Sequence, residues 1–194
     1  MESIKERMKK LAEFGEKVFA VEFRGKLYYI IESGHLLGGE KGSQKDYTLF
    51  DDKSQLGHLY ISDVKMTEAE IEFEKLDGVL VVPKEYFLLT DIEISDIDLR
   101  CKGLGSMLLN WATKDMQHAS AKREEILPLL FIRHNSEETF AFYAKWGAVV
   151  NQKVEDVKRG SSCYMRIDKP IAKPEYEVKV IAKHDTTIKQ DRSK

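Results

Sequence analysis

Arg100, Gly103 and Gly105 stand in the pattern Arg-x-x-Gly-x-Gly, within the run Arg100, Cys101, Lys102, Gly103, Leu104, Gly105, Ser106. Residues of these types, where a strand gives way to a helix, can hold an anion. The first turn of a helix carries backbone N–H groups with no intrahelical partner, and the helix dipole adds partial positive charge there. Glycines lack Cβ atoms, so a ligand can come close to the backbone. Arg100 and Lys102 add full charges, and a pyrophosphate fits such a loop. The plainer alternative is a strand-to-helix turn whose glycines serve tight packing alone.

The flanking sequence supplies the strand and the helix. Tyr86 to Ile94 is rich in aromatic and branched residues, and Ile92 and Ile94 alternate with Asp91 and Glu93. From Leu104 onward, the residues Leu104, Met107, Leu108, Trp111, Ala112, Met116 and Ala119 form one apolar helical stripe. A second stretch, Ser136 to Ala148, follows an apolar run from Ile126 to Ile132 and ends in Phe142-Tyr143-x-Lys145-x-Gly147-Ala148.

In order, spacing and strand–helix context, the two motifs resemble those of the GNAT superfamily of N-acetyltransferases, over roughly Leu88 to Ile167. The resemblance implies an α+β fold: a mixed, mostly antiparallel central sheet flanked by helices. It implies acetyl-CoA as co-substrate and no metal. The first motif would hold the pyrophosphate through Arg100 to Ser106. Exposed backbone from Ile92 through Ile94 to Ser95 would pair with the pantetheine amides. Ser136 falls where the family usually has asparagine, and Tyr143 matches the tyrosine that often protonates the leaving thiolate. Ala148 stands where phenylalanine is common, and the loop from Ser95 to Leu99 lacks the usual proline. The family also places two helices between its first two strands. No helix pair is evident between Phe19 and Leu80, so the N-terminal half is atypical.

Acyl transfer to an amine needs a held thioester, a neutral amine, a donor for the oxyanion and an acid for the thiolate. Tyr143 is the candidate acid, since a free phenol titrates near 10, close to a coenzyme thiol. Its alternative role is core packing. Asp91 and Glu93 share one face of the central strand and are the candidate bases if that face meets the cleft. The histidines His35, His58, His118, His134 and His184 are scattered, and none is assigned a role. The carboxylates of Glu68, Glu70, Glu72, Glu74, Asp91, Glu93, Asp96 and Asp98 would suit a cationic amine, either a small molecule or a protein lysine or N-terminus. A solvated strand face is the bland reading of the same residues. Two other classes remain: a non-catalytic coenzyme A-binding sensor or partner-binding module, and a nucleotide phosphate-binding protein. The latter fits poorly, because Gly103-Leu-Gly-Ser lacks the lysine that follows the glycines of a P-loop.

The chain has 194 residues and a net charge of −2, so no global basic field favours nucleic acid. No long apolar run suggests a membrane span, and Met1 to Lys10 lacks the apolar centre of a signal peptide. Cys101 and Cys163 make neither a metal spacing nor a disulfide framework, so a reducing cytoplasm is expected. Residues 1–170 are expected to form one domain with its motif core at 86–168, and 171–194 a C-terminal extension with a disordered end. A homodimer is left open.

In chain order, Ile4 to Val18 reads as an amphipathic helix and Val18 to Ser33 as a hairpin turning at Arg24-Gly25-Lys26. Gly34 to Asp46 reads as a mobile glycine-rich loop, and Tyr47 to Val64 as strand broken near Asp51-Asp52-Lys53. Ala69 to Leu76 alternates Ile71 and Phe73 with Glu70, Glu72 and Glu74, as a half-exposed strand would. Ala148 to Lys153 and Cys163 to Ile167 read as a pair of strands.

Overall fold

Ser3 and Glu6 cap the first helix reciprocally. The Ser3 hydroxyl accepts the Glu6 N–H at 3.3 Å, and the Glu6 carboxylate accepts the Ser3 N–H at 3.0 Å. This helix, α1, spans Ile4–Glu13 and stops short of the expected Val18, because Gly15 turns the chain to φ +95°. Arg24 (φ 51°) and Gly25 (φ 74°) then make the left-handed two-residue turn of a hairpin between β1 (Lys17–Phe23) and β2 (Lys26–Leu36). β3 (Ser43–Phe50) and β4 (Gln55–Lys65) continue antiparallel. The expected loop from Gly34 to Asp46 is therefore shorter. Gly34 pairs with Lys45 and His35 with Gln44, which extends the β2–β3 ladder into it. The computed structural model describes residues 3–36, 43–121, 130–134, 137–153, 163–169 and 171–184. The centre of that glycine-rich stretch, the proposed cap Ser136 and the expected disordered end lie outside them.

The alternation from Ala69 to Leu76 misleads. This segment is a helix, α2, over Glu68–Leu76, not a strand. Thr67 and Glu70 form a capping box, with Thr67 N–H to Glu70 Oε2 at 2.8 Å. Glutamate, alanine, lysine and leucine all favour helix, and α2 buries none of its residues, so no core-facing period overrides that preference. The cue was Thr67-x-x-Glu70.

β5 (Glu85–Ile94) leads through a short turn at Ile97–Leu99 into α3 (Leu104–Ala121), and then into β6 (Leu130–His134). α4 (Glu137–Lys145), β7 (Val149–Val150), β8 (Cys163–Ile167) and β9 (Lys179–His184) complete the described elements. Nine strands form one sheet, ordered β7-β8-β6-β5-β4-β3-β2-β1-β9. β5 and β6 run parallel, joined by the α3 crossover, and the other described pairs are antiparallel. The fold is thus α+β, with a mixed, mostly antiparallel sheet flanked by helices.

α3 covers one face of this sheet. Its Leu104, Met107, Leu108 and Ala112 pack with Ile30, Leu49, Leu59, Ile61, Phe87 and Leu89. Polar bonds help hold it there: Trp111 Nε1 donates to Glu32 Oε1 and Tyr47 Oη to Asp115 Oδ2, each at 2.7 Å, and the Lys45 ammonium donates to the same Asp115 oxygen. On the opposite face α1 buries Met8 and Ala12 against Val18, Ala20, Tyr29, Ile31 and Phe50.

β5 carries one residue more than its partner. Leu89 pairs with Ile61 and Asp91 with Tyr60, so Thr90 is extra, and its hydroxyl donates to the Tyr60 carbonyl at 3.2 Å. The bulge reverses side-chain parity. Phe87 and Leu89 face α3 before it, and Ile92 and Ile94 face α3 after it. Asp91 and Glu93 consequently share the other face. Beyond the bulge β5 presses on β4 at Gly57, where a Cβ would stand 2.2 Å from the Glu93 carbonyl oxygen. Gly57→Ala should therefore cost about 1–3 kcal/mol of stability, read from urea unfolding. A midpoint equal to that of the parent chain refutes the close approach.

Candidate active site

The helix start has the geometry of an anion site. The Met107 N–H donates to the Gly103 carbonyl at 2.8 Å as the first bond of α3. The N–H groups of Leu104, Gly105 and Ser106 in the first turn thus have no intrahelical acceptor. Gly103 sits at φ +89° and Cys101 at φ +62°. Cys101 and Lys102 are exposed, Gly105 and Ser106 are half-buried, and Leu104 is buried in the core. Arg100 turns back to donate from Nε to the Ile94 carbonyl at 3.1 Å, which ties the loop to the end of β5. Asp96 caps the Ile97–Leu99 turn by accepting the Asp98 N–H at 2.8 Å, so its carboxylate serves the loop.

A cation that sequence reasoning missed also reaches this loop. Arg24, from the β1–β2 turn, donates from Nη1 to the Lys102 carbonyl at 3.0 Å, and its guanidinium lies 3.3 Å from the place of a Gly103 Cβ. No local pattern links residues so far apart in sequence. The two glycines now separate. Gly103 is favoured by its positive φ, and a Cβ there would also press on the end of the Arg24 side chain. A Cβ on Gly105 would meet Ile94 and Ile92 side chains at 3.8 and 3.9 Å, ordinary contact, so packing does not demand glycine there.

Just beyond, the two parallel strands part. β5 continues to Ile94 along β4, and β6 continues to His134 along β8. Among the described residues, they pair with each other only from Phe87–Leu89 to Leu130–Ile132. Among the described residues no strand pairs with the β6-side backbone edge of β5 from Asp91 to Ile94, where Arg100 takes the Ile94 carbonyl, while the side chains of Ile92 and Ile94 turn to the core. Tyr143 is 3% exposed, in the same core cluster as α3. The end of its helix is fixed by Gly147 at φ +83° and by the Ala148 N–H, which donates to the Tyr143 carbonyl at 3.1 Å. Burial first, and the Asp91 charge second, push its phenol above the ordinary range. The near match to a thiol expected of a free phenol does not hold in the folded chain.

The candidate carboxylates fall into separate groups. Glu68, Glu70, Glu72 and Glu74 belong to α2, whose Glu74 and Glu70 charges, after burial, help raise the Tyr86 phenol to about 12. Asp96 and Asp98 belong to the loop before α3. Asp91 and Glu93 stand on the sheet face away from α3, where Asp91 Oδ2 lies 3.0 Å from His58 Nε2. His58 went unassigned in the sequence because its partner lies on another strand, and only the ladder between β4 and β5 brings them together. Both cysteines are free thiols, Cys101 exposed and Cys163 buried. No described helix is long and apolar enough to cross a membrane.

The two motif glycines should respond oppositely to alanine. Gly103→Ala places a Cβ at positive φ against Arg24 and should destabilise by about 1 kcal/mol or more. Gly105→Ala relieves a flexible first-turn residue and should stabilise by about 0.4–1 kcal/mol. Thermal melts of the two variants check this, and equal losses at both sites would show that Gly105 also serves packing.

Comparison with protein-family models finds no match, and none of the curated proteins matches. Solved structures do. The chain is similar to a mutant of the toxin AtaT bound to the C-terminus of the antitoxin AtaR, at 18% identity and TM-score 0.45, over 63% of this chain and 66% of that one. The same mutant with the antitoxin C-terminus and acetyl-CoA matches at 17% identity and TM-score 0.45, over 63% and 68%. A KacTA–DNA complex matches at 20% identity and TM-score 0.44, over 66% and 69%. The chain thus spans about two thirds of the length of these proteins, whose antitoxin, acetyl-CoA and DNA are their own.

Proposed function

We propose that this chain binds acetyl-CoA and transfers its acetyl group to a primary amine by direct attack in a ternary complex. The observation that supports this most is the parting of β5 and β6 beside the Gly103–Gly105 helix start. An extended pantetheine amide chain needs a free strand edge to pair with, and its pyrophosphate needs a cluster of donors one reach away. An open β5 edge next to unpaired first-turn N–H groups offers both. Arg24, Arg100 and Lys102 supply positive charge around that turn.

Tyr143 takes the role of donor to sulfur. Its phenol stays protonated at working pH because burial disfavours the phenolate. The same desolvation disfavours a naked thiolate, so a positioned hydroxyl stabilises the charge that develops as the C–S bond breaks. The acceptor stays cationic until it reaches a base, and the acidic sheet face around Asp91 and Glu93 is suited to such an amine. A sensor that binds coenzyme A without turnover is separated from this reading by one measurement. Acetyl-CoA mixed with a panel of primary amines should release free coenzyme A faster than acetyl-CoA alone.

Tyr143→Phe keeps the ring and removes one oxygen. Turnover should fall by about 10²-fold, with acetyl-CoA affinity by calorimetry unchanged, because the loss is confined to the transition state. Full turnover in the phenylalanine variant, with chemistry limiting the rate, would make Tyr143 a packing residue. Lys102→Glu should instead weaken coenzyme A binding, and an unchanged affinity there would remove the loop from the site.

A further inference from the structure

The sheet face opposite α3 carries a histidine–carboxylate pair that the function described so far does not use. We propose that His58 is the base that takes the proton from the incoming ammonium group, with Asp91 holding its ring, and that the sheet face around them receives a cationic amine. This rests on the acetyl-transfer reading above.

Three observations carry it. First, the Thr90 bulge puts Asp91 on the same face as His58 and Tyr60. Tyr60 pairs with Asp91 and His58 with Glu93. Second, the imidazole is restrained on two sides. Nε2 lies 3.0 Å from Asp91 Oδ2, and the ring stacks on Tyr60 with centroids 4.5 Å apart and planes 23° from parallel. The His58 side chain is 14% exposed and that of Asp91 54%, so the ring is held and the pair still meets solvent. A carboxylate on Nε2–H fixes that tautomer and leaves the lone pair on Nδ1, and it stabilises the imidazolium once formed. Third, Asp91 also couples to the other end of the reaction. Its charge acts on Tyr143, which belongs to the α3 core cluster. Base and acid thus belong to opposite faces of the sheet, and His58 pairs with β5 beyond the point where β5 leaves β6.

The surroundings favour a cation. Glu93 stands directly across from His58, and Asp46 on β3 is paired with Tyr60. Thr48 pairs with His58 from the other side, and Arg7 of α1 is held over the Phe50 ring, at the margin of this face. α1 packs on Phe50 and the earlier strands, and α2 sits by Tyr86, so this patch lies between the two helices. Carboxylates predominate on it, which draws an ammonium group toward the imidazole.

The proton count closes. The ammonium gives one proton to His58 Nδ1, which passes it to solvent. The neutral nitrogen attacks the thioester carbonyl, a C–N bond forms and the C–S bond breaks. The second proton lost from nitrogen balances the one Tyr143 gives to sulfur. The products are the amide, free coenzyme A thiol and one proton.

The test uses the full chain with acetyl-CoA and a panel of a polyamine, an amino sugar and a lysyl peptide. Coenzyme A release is followed against pH, and acetyl-CoA affinity is measured by calorimetry. His58→Gln should keep the affinity, lose about 10²-fold or more in kcat, and lose the acid limb of the pH profile. Asp91→Asn should keep the affinity and lower kcat by about 10-fold or more, because the ring loses the carboxylate that orients it. Wild-type turnover with an intact acid limb in His58→Gln overturns the base role and leaves acetyl transfer standing. If His58→Gln fails to fold, Asp91→Asn decides alone, since Asp91 is exposed, and an unchanged kcat overturns the pair. A wild-type protein that binds acetyl-CoA and acetylates none of the panel overturns the acetyl-transfer reading, and the base role with it.

Discussion

One extra residue, Thr90, decides what each side of β5 faces. A strand has a side-chain period of two, so an inserted residue exchanges the two faces for everything that follows. Were Thr90 paired in a ladder without the bulge, Asp91 and Glu93 would point at α3, where two carboxylates would be buried against Leu104 and Met107. Ile92 and Ile94 would then be spread on the open face. With it, the apolar core runs unbroken along β5 beneath α3, and the carboxylates emerge beside His58 and Tyr60. The bulge also comes immediately after the last β5–β6 pair, so the change of face and the opening of the strand edge occur at one place.

The helices divide the work around that place. α3 holds the central core and presents its own start to the loop. α1 closes the opposite face over the early strands, and α2, which buries none of its residues, leaves the middle of that face open. Stability and reactivity are thus separated. The face under α3 is apolar and fixed by Trp111 and Tyr47 bonds, and the face away from it carries titratable groups in contact with solvent.

What the sequence shows of this arrangement follows from range. The Arg24-Gly25 turn and the α3 stripe are set by neighbours within a few residues, and both read correctly. α2 was misread because Ile71 and Phe73 happen to alternate with glutamates, while the deciding signal was the Thr67–Glu70 cap rather than the apolar period. The face of Asp91 and Glu93 was legible only as relative to Ile92 and Ile94. Which face meets the core depends on a bulge that pairing with β4 creates. The His58–Asp91 pair and the Arg24 contact with the Lys102 carbonyl require the sheet to exist before the residues meet, and no spacing in the chain announces them.

The place of β9 has a bearing on how the chain is made. β9 is the last described strand and it pairs with β1, the first. During synthesis the outer edge of β1 therefore emerges before its partner, which arrives only after every other described strand has been translated. Until then that edge offers unpaired N–H and C=O groups to any other extended chain. Lys17 and Glu22, the charged residues on this strand, oppose such pairing during the wait. The outer edge of the hairpin stays uncovered until β9 docks, which makes docking of β9 a late and aggregation-sensitive event.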